Sequence, residues 1–203
     1  MSKQQLIAIG RESGSGGYEI ARQLAKRLNL PLYDKNLLEK IAEEKNGDAD
    51  LLRKFDEKPK IIGVHRVVDG LSNAPGDQIA QMQFDYLLTR ARAGESFVVL
   101  GRCADEILKG FPGLVSVFVL ADESFKLTRI MAQNNVSQRE ALALMAKTDR
   151  QRRAYHNQHC KGQWGEAGTY DLTINSARLG IEGTVELLEH YIHARSEQSR
   201  ELS

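Results

Sequence analysis

Apolar positions in this chain fall into two kinds of run. Leu6–Ile9, Leu32–Tyr33, Phe97–Leu100, Val115–Leu120 and Leu172–Ile174 are short apolar stretches that read as strands. The runs FVVL and VSVFVL are nearly continuous, without the alternation of a sheet wetted on one face. They predict parallel strands covered on both sides. Between the strands, apolar residues recur at helical spacing. Tyr18–Asn29 places Ile20, Leu24 and Leu28 on one face, Lys35–Glu44 carries Leu37, Leu38 and Ile41, and Gln78–Ala93 carries Ile79, Met82, Phe84, Leu87 and Leu88. Glu123–Gln133 carries Phe125, Leu127, Ile130 and Met131, and Gln138–His159 is a long polar and basic helix. Ile181–Arg195 turns Val185, Leu188 and Ile192 inward. Strand and helix alternate, which predicts an α/β fold in three layers with right-handed crossovers. Residues 45–77 hold Pro59, Pro75 and little periodicity, and are expected to form a helical insert at one edge of the site or a partly mobile segment.

Composition narrows the function more than the fold. A chain of 203 residues is expected to be one domain, with 41% hydrophobic and 27% charged residues. The formal net charge of +1 excludes a nucleic-acid binder held by bulk charge. No apolar run approaches a membrane span, and MSKQQ carries no signal core. Two cysteines, Cys103 and Cys160, give no disulfide framework. The expectation is a cytoplasmic protein with neither nucleic-acid nor membrane partners.

The chemistry concentrates where the first strand runs into GRESGSGGYE. Glycines after a strand let the chain turn back with positive φ, and the N–H groups of the turn and helix start then form an anion nest. Ser13, Gly14, Ser15, Gly16 and Gly17 can build one. The dinucleotide pattern Gly-x-Gly-x-x-Gly fails, since Gly14-x-Gly16 is followed by Glu19. The ordinary alternative is a tight turn closing a parallel unit, but the loop sits at the carboxyl end of a strand, where α/β folds bind ligands.

The stretches IGRESGSGGYEIARQLAKRLNLPLYDKNLLEKIA, FVVLGRCADEIL and DRQRRAYHNQHCKGQWGEAGTYDLTINSARLGIEGTVELL together resemble the cytidylate kinase-like family, within the P-loop nucleoside monophosphate kinases. The likeness runs through nearly the whole chain. It implies a three-layer P-loop kinase fold with a five-stranded parallel sheet, helices on both faces and a helical lid over 129–168. It also implies ATP with Mg²⁺ as phosphoryl donor and a small nucleotide, a CMP-like nucleoside monophosphate, as acceptor. In cytidylate kinase the loop resembles Ser-Gly-Ala-Gly-Lys-Gly-Thr. Laid on Ser13–Glu19, its lysine falls on Gly17 and its threonine on Glu19. The lysine normally meets the β- and γ-phosphates and the hydroxyl holds Mg²⁺. Arg11 or a lid arginine is the candidate for the missing charge, and Glu19 for the metal oxygen, or else Glu19 only favours the helix dipole. Tyr18 completes the donor-binding set.

On the acceptor side the resemblance points to Asp34, which also reads as a helix N-cap, and to Arg102 with Asp105 beside it. Arg129, Arg150 and Arg153 are the lid arginines expected to stabilise charge on the transferred group. Cys103 reads as a small buried residue, and His156, His159 and Cys160 lack the further ligands a zinc site needs. Trp164 and Tyr170 are expected to anchor their loop on the last strand. With the lysine gone, a nucleotide-binding pseudokinase or a kinase for a non-nucleotide acceptor are the alternatives.

Overall fold

The first strand is apolar because both of its faces are covered. The computed structural model describes residues 4–45, 67–68, 71–72 and 75–201, and in it β1 (Leu6–Arg11) is the middle strand of a five-stranded sheet. Its neighbours are β5 (Phe97–Leu100) and β6 (Leu114–Leu120); β2 (Leu32–Tyr33) lies beyond β5, and β7 (Leu172–Asn175) beyond β6. All four pairings are parallel, as predicted.

Ile7 and Ile9 pack with α1 (Gly17–Arg27), through Ile20 and Leu24, and with α7 (Ser176–Glu201), through Val185, Leu188 and Ile192. Leu6 and Ala8 serve the opposite face, against α2 (Leu37–Lys45), α3 (Pro75–Arg92) and α4 (Ala104–Ile107). Leu24 and Leu188 are fully buried, and each such side chain stabilises the fold by roughly 1.5–3 kcal/mol through leaving water.

Three boundaries depart from the hydrophobic pattern. β1 continues to Arg11 because Gly10 and Arg11 pair with Phe118 and Val119. α4 is one turn, too short to show a period, and it follows two residues in the left-handed region, Arg102 (φ 60°) and Cys103 (φ 54°). α7 begins at Ser176, but its backbone breaks at Gly180 (φ 68°), so the predicted apolar face starts only after that break.

A helical hairpin occupies the region where a lid was expected. α5 (Glu123–Asn134) ends at Asn135 (φ 52°), and α6 (Gln138–His159) starts on a capping box in which Ser137 and Glu140 serve each other's backbone N–H. The two helices close on Leu127, Ile130 and Ala141. Trp164 and Tyr170 pack against Phe118 of β6 rather than on the last strand. Of the 45–77 stretch, a short antiparallel pair, β3 (Val67–Val68) with β4 (Leu71–Ser72), is described together with its two ends; the rest of the expected insert, His65 included, lies outside the described residues. Among the described residues no helix is long and apolar enough to cross a membrane.

The chain leaves β1 toward β2, and later crosses from β5 to β6 on the other side of β1. Such a reversal opens a crevice at the carboxyl ends of the strands. The loop of residues 12–16, the turn 101–103 and the α5–α6 hairpin all border that crevice.

Candidate active site

The loop after β1 is held in shape before any ligand arrives. Gly14 and Gly16 have φ of 79° and 80°. A Cβ on Gly14 would stand 2.7 Å from the Lys126 carbonyl oxygen, and one on Gly16 would collide with Ile181 Cδ1. Buried Ser15 donates from Oγ to the Glu12 carbonyl at 2.8 Å. The Ser176 hydroxyl donates to the Ser15 carbonyl at 2.6 Å and so ties the loop to the end of β7. Lys126 Nζ meets Glu12 Oε2 at 2.8 Å. The Glu12 and Ser15 carbonyls are thus occupied within the loop and from the end of β7.

Gly17 has a different reason to be glycine. A Cβ there would lie 2.5 Å from Arg11 Cβ and 2.9 Å from Arg11 Cγ. One on Gly101 would lie 2.5 Å from Arg11 Nη1. The Arg11 side chain therefore crosses the loop over Gly17 and carries its guanidinium to the turn after β5. The phosphate-loop pattern is Gly-x-x-x-x-Gly-Lys. With its Gly-Lys placed on Gly16-Gly17, its first glycine falls on Arg11. In the sequence, cation and glycine have changed places, and Arg11 brings a positive charge to the cleft lining.

The cleft above the loop has a volume of about 660 Å³. Of the residues singled out in the sequence, Arg11, Ser13, Gly14, Gly16, Gly17, Tyr18, Glu19, Arg102 and Arg129 line it; Ser15 lies buried beneath. Four expected contributors do not line it. Asp34 is buried, and its Oδ1 accepts the Asn36 N–H at 2.9 Å, which is the capping reading; its neighbour Lys35 reaches the cleft instead. Asp105 faces away from it and pairs with His156 Nε2 at 2.8 Å, both side chains being only 6–7% exposed. Arg150 is exposed and outside the lining, as is Arg153, whose guanidinium lies over the Trp164 ring at 5.4 Å.

The inner face of α6 is read at intervals of four: Leu144, Thr148 and Arg152 line the cleft, and buried His156 continues the row. Positions 150 and 153 fall off that row on a helix of 3.6 residues per turn. Arg152 lines the cleft together with Arg129, and its Nη1 donates to the Arg11 carbonyl at 3.4 Å. One turn earlier, Asp149 accepts the Ser13 N–H at 2.7 Å. Burial pushes the Asp149 carboxyl up, against the opposing pull of that N–H. Residues 13 and 149 lie on different elements far apart in the chain, so this contact needs the fold.

Glu19, at the threonine position, forms an ion pair with Arg129 Nη2 at 2.9 Å and accepts Gln133 Nε2 at 3.0 Å. Among the described residues no group of three or more His, Cys, Asp or Glu gathers as a metal site. A Mg²⁺ ion here would take most of its oxygens from phosphates and water, with Glu12, Glu19 and Asp149 the carboxylates at the loop.

Known proteins agree with this geometry. The model of the cytidylate kinase-like family matches residues 6–178. A cytidylate kinase from Pyrobaculum islandicum is 24% identical over 188 residues, 92% of each chain. The crystal structure of an uncharacterized protein from Eubacterium ventriosum superposes with a TM-score of 0.74 at 34% identity, over 94% of this chain and 99% of its own. A gluconokinase from Sinorhizobium meliloti (TM-score 0.56, 15% identity, covering 100% of this chain and 99% of its own) shares the fold. So does a shikimate kinase from Bacteroides thetaiotaomicron (TM-score 0.54, 14% identity, covering 93% of this chain and 98% of its own). The glycine loop after a central parallel strand, the helical arm above it and a family match across most of the length lead to one conclusion: the chain belongs to the cytidylate kinase-like family, kinase-like phosphotransferases with the P-loop kinase fold.

Proposed function

We propose that the chain transfers the γ-phosphoryl group of ATP, bound with Mg²⁺, to a nucleoside monophosphate of the CMP type, and that Arg11 does the work of the absent lysine. The observation that carries this reading is the passage of Arg11 over Gly17 into the cleft. Phosphoryl transfer needs positioning and charge neutralisation and no covalent intermediate. The N–H groups of Gly14–Gly17 and the start of α1 hold the donor phosphates. Arg11 neutralises them from below, and Arg129 and Arg152 from the hairpin side. Arg102, at the end of β5, faces the acceptor phosphate. A phosphate oxygen takes over the Ser13 N–H from Asp149, which then turns to Arg152, 3.8 Å away. The acceptor class rests on the family and on the relative named cytidylate kinase.

An ADP-release assay with CMP, UMP, dCMP and AMP tests the reading. Turnover with one of these is expected. ATP binding without turnover would make the chain a nucleotide sensor, and turnover only with a non-nucleotide alcohol would move the acceptor class. Arg102→Ala is expected to raise the acceptor KM at least about tenfold, since charge-assisted contacts are worth about 1.5–3 kcal/mol; unchanged kinetics would take Arg102 out of the acceptor site. Arg152→Ala is expected to lower kcat by about 10²-fold, and Arg150→Ala to leave it within about twofold. The reverse ranking would place the lid arginine at 150.

A further inference from the structure

Beside the cleft, on the far side of Arg102, the turn into α4 meets the end of α6. A cavity of about 30 Å³ lies there, lined by Arg102, Cys103, Asp105, Arg152, His156 and Tyr170 among others. The chain has two cysteines, and the fold brings both to this place. Cys103 immediately precedes α4 and is buried; Cys160 immediately follows α6 and is half-buried. Both pack in one cluster with Phe84 and Tyr155.

The surroundings make the two sulfurs unequal. His156 sits one turn before Cys160, whose N–H donates to the His156 carbonyl at 2.8 Å. The His156 ring is fixed by Asp105 through Nε2. Its other nitrogen, Nδ1, is buried without a hydrogen-bond partner, and the positive charge of the ring favours the Cys160 thiolate. Contact with the Cys103 S–H, and then His156, bring the Cys160 thiol down to about 7 in spite of burial. The same contact and burial push Cys103 far up. One partner is a poised thiolate and the other a protonated thiol.

We infer that Cys160 and Cys103 are a hydroperoxide-responsive dithiol, whose disulfide ties the end of the lid helix to the turn that carries Arg102. The Cys160 thiolate attacks the peroxide. An S–O bond forms, the O–O bond breaks, and an alkoxide or hydroxide leaves and takes up a proton; sulfur is oxidised to sulfenic acid. Cys103 sulfur then attacks Cys160 sulfur. The S–O bond breaks, and hydroxide leaves with the Cys103 proton as water. In sum, two thiols and one hydroperoxide give one disulfide, one alcohol (or water) and one water. Since α6 also holds Asp149 on the loop and Arg152 at the cleft, the bond fixes the hairpin at its base. The reaction itself depends on the two sulfurs and not on the phosphoryl-transfer reading.

The test is stoichiometric hydrogen peroxide on the full chain, followed by intact mass and peptide mapping. The expected product is a monomer lighter by two hydrogens, with Cys103 and Cys160 peptides linked and released by dithiothreitol. Oxidation should also slow tryptic cutting within α6. Cys103→Ser should stop at a Cys160 sulfenic acid that dimedone traps. His156→Asn should slow iodoacetamide labelling of Cys160 at neutral pH by about fivefold, the loss in thiolate when a pKa near neutrality rises by about one unit. Oxygen added to Cys103 first, only intermolecular disulfides, or Cys160 labelling unchanged by His156→Asn would overturn the assignment. Because mass and labelling are read without substrate, a failure here is separate from a failure of the kinase reading.

Discussion

Arg11→Ala is expected to lower kcat by about 10²–10³-fold with the fold intact, the usual loss when one preorganised charge-stabilising group is removed. Arg11 lines the cleft from the carboxyl end of the central strand; its Cβ and Cγ pass Gly17 and its guanidinium lies at Gly101. The exchange makes a sharper prediction. Gly17→Lys alone should not improve the enzyme, because its Cβ would be forced to 2.5 Å from Arg11 Cβ. Arg11→Gly with Gly17→Lys should recover about tenfold or more of the activity lost in Arg11→Gly alone, since it rebuilds the Gly-x-x-x-x-Gly-Lys order. Steady-state kinetics on the four proteins decide it. Full activity in Arg11→Ala, or a double variant no better than Arg11→Gly, would show that the charge comes from elsewhere.

Asp105→Ala is expected to destabilise the protein by about 3–5 kcal/mol, because it leaves His156 buried without its counter-charge. At about 2–4 °C per kcal/mol for a chain of this size, calorimetry should show Tm falling by on the order of 10 °C. The pair also carries a pH signature. Burial is the largest single influence on the His156 imidazolium and works to lower it, but Asp105 and Cys160 together outweigh it and hold the group up at about 10 against an ordinary 6.5. A group raised in the folded state contributes its full stability below the unfolded value and loses it as pH rises through the folded value. The stability gap between the chain and its Asp105→Asn variant should thus be largest below about 6.5 and shrink toward 10. Cys160→Ser in both proteins keeps thiol titration out of the comparison. A gap independent of pH would mean that His156 carries no charge in the folded protein.

Much of the architecture was legible because burial on both faces leaves a mark in the sequence. FVVL and VSVFVL have no polar alternation, and their strands are buried along almost their whole length. The glycine loop was legible too, since positive φ and close approach exclude most other residues. The acceptor side was harder. Asp105 follows Arg102 at a spacing that suits a site, yet the left-handed backbone at 102 and 103 turns Asp105 into the interior toward a histidine far along the chain. Arg129 lines the cleft as expected, whereas Arg150 and Arg153 fall outside it: Gln138–His159 is polar nearly throughout and shows no apolar stripe to mark its inner face.

The sequence by itself determined the order of strands and helices, the place of the phosphate loop, and the fact that its lysine is absent. Those are local properties, written in spacing and in residue type. Only the tertiary structure decided that Arg11 fills the space over Gly17, that Arg152 rather than Arg150 faces the cleft, and that Asp149 holds the loop. It alone set Cys103 beside Cys160. Each of these contacts joins residues on different elements, and its geometry follows from how strands and helices pack, which no local pattern records.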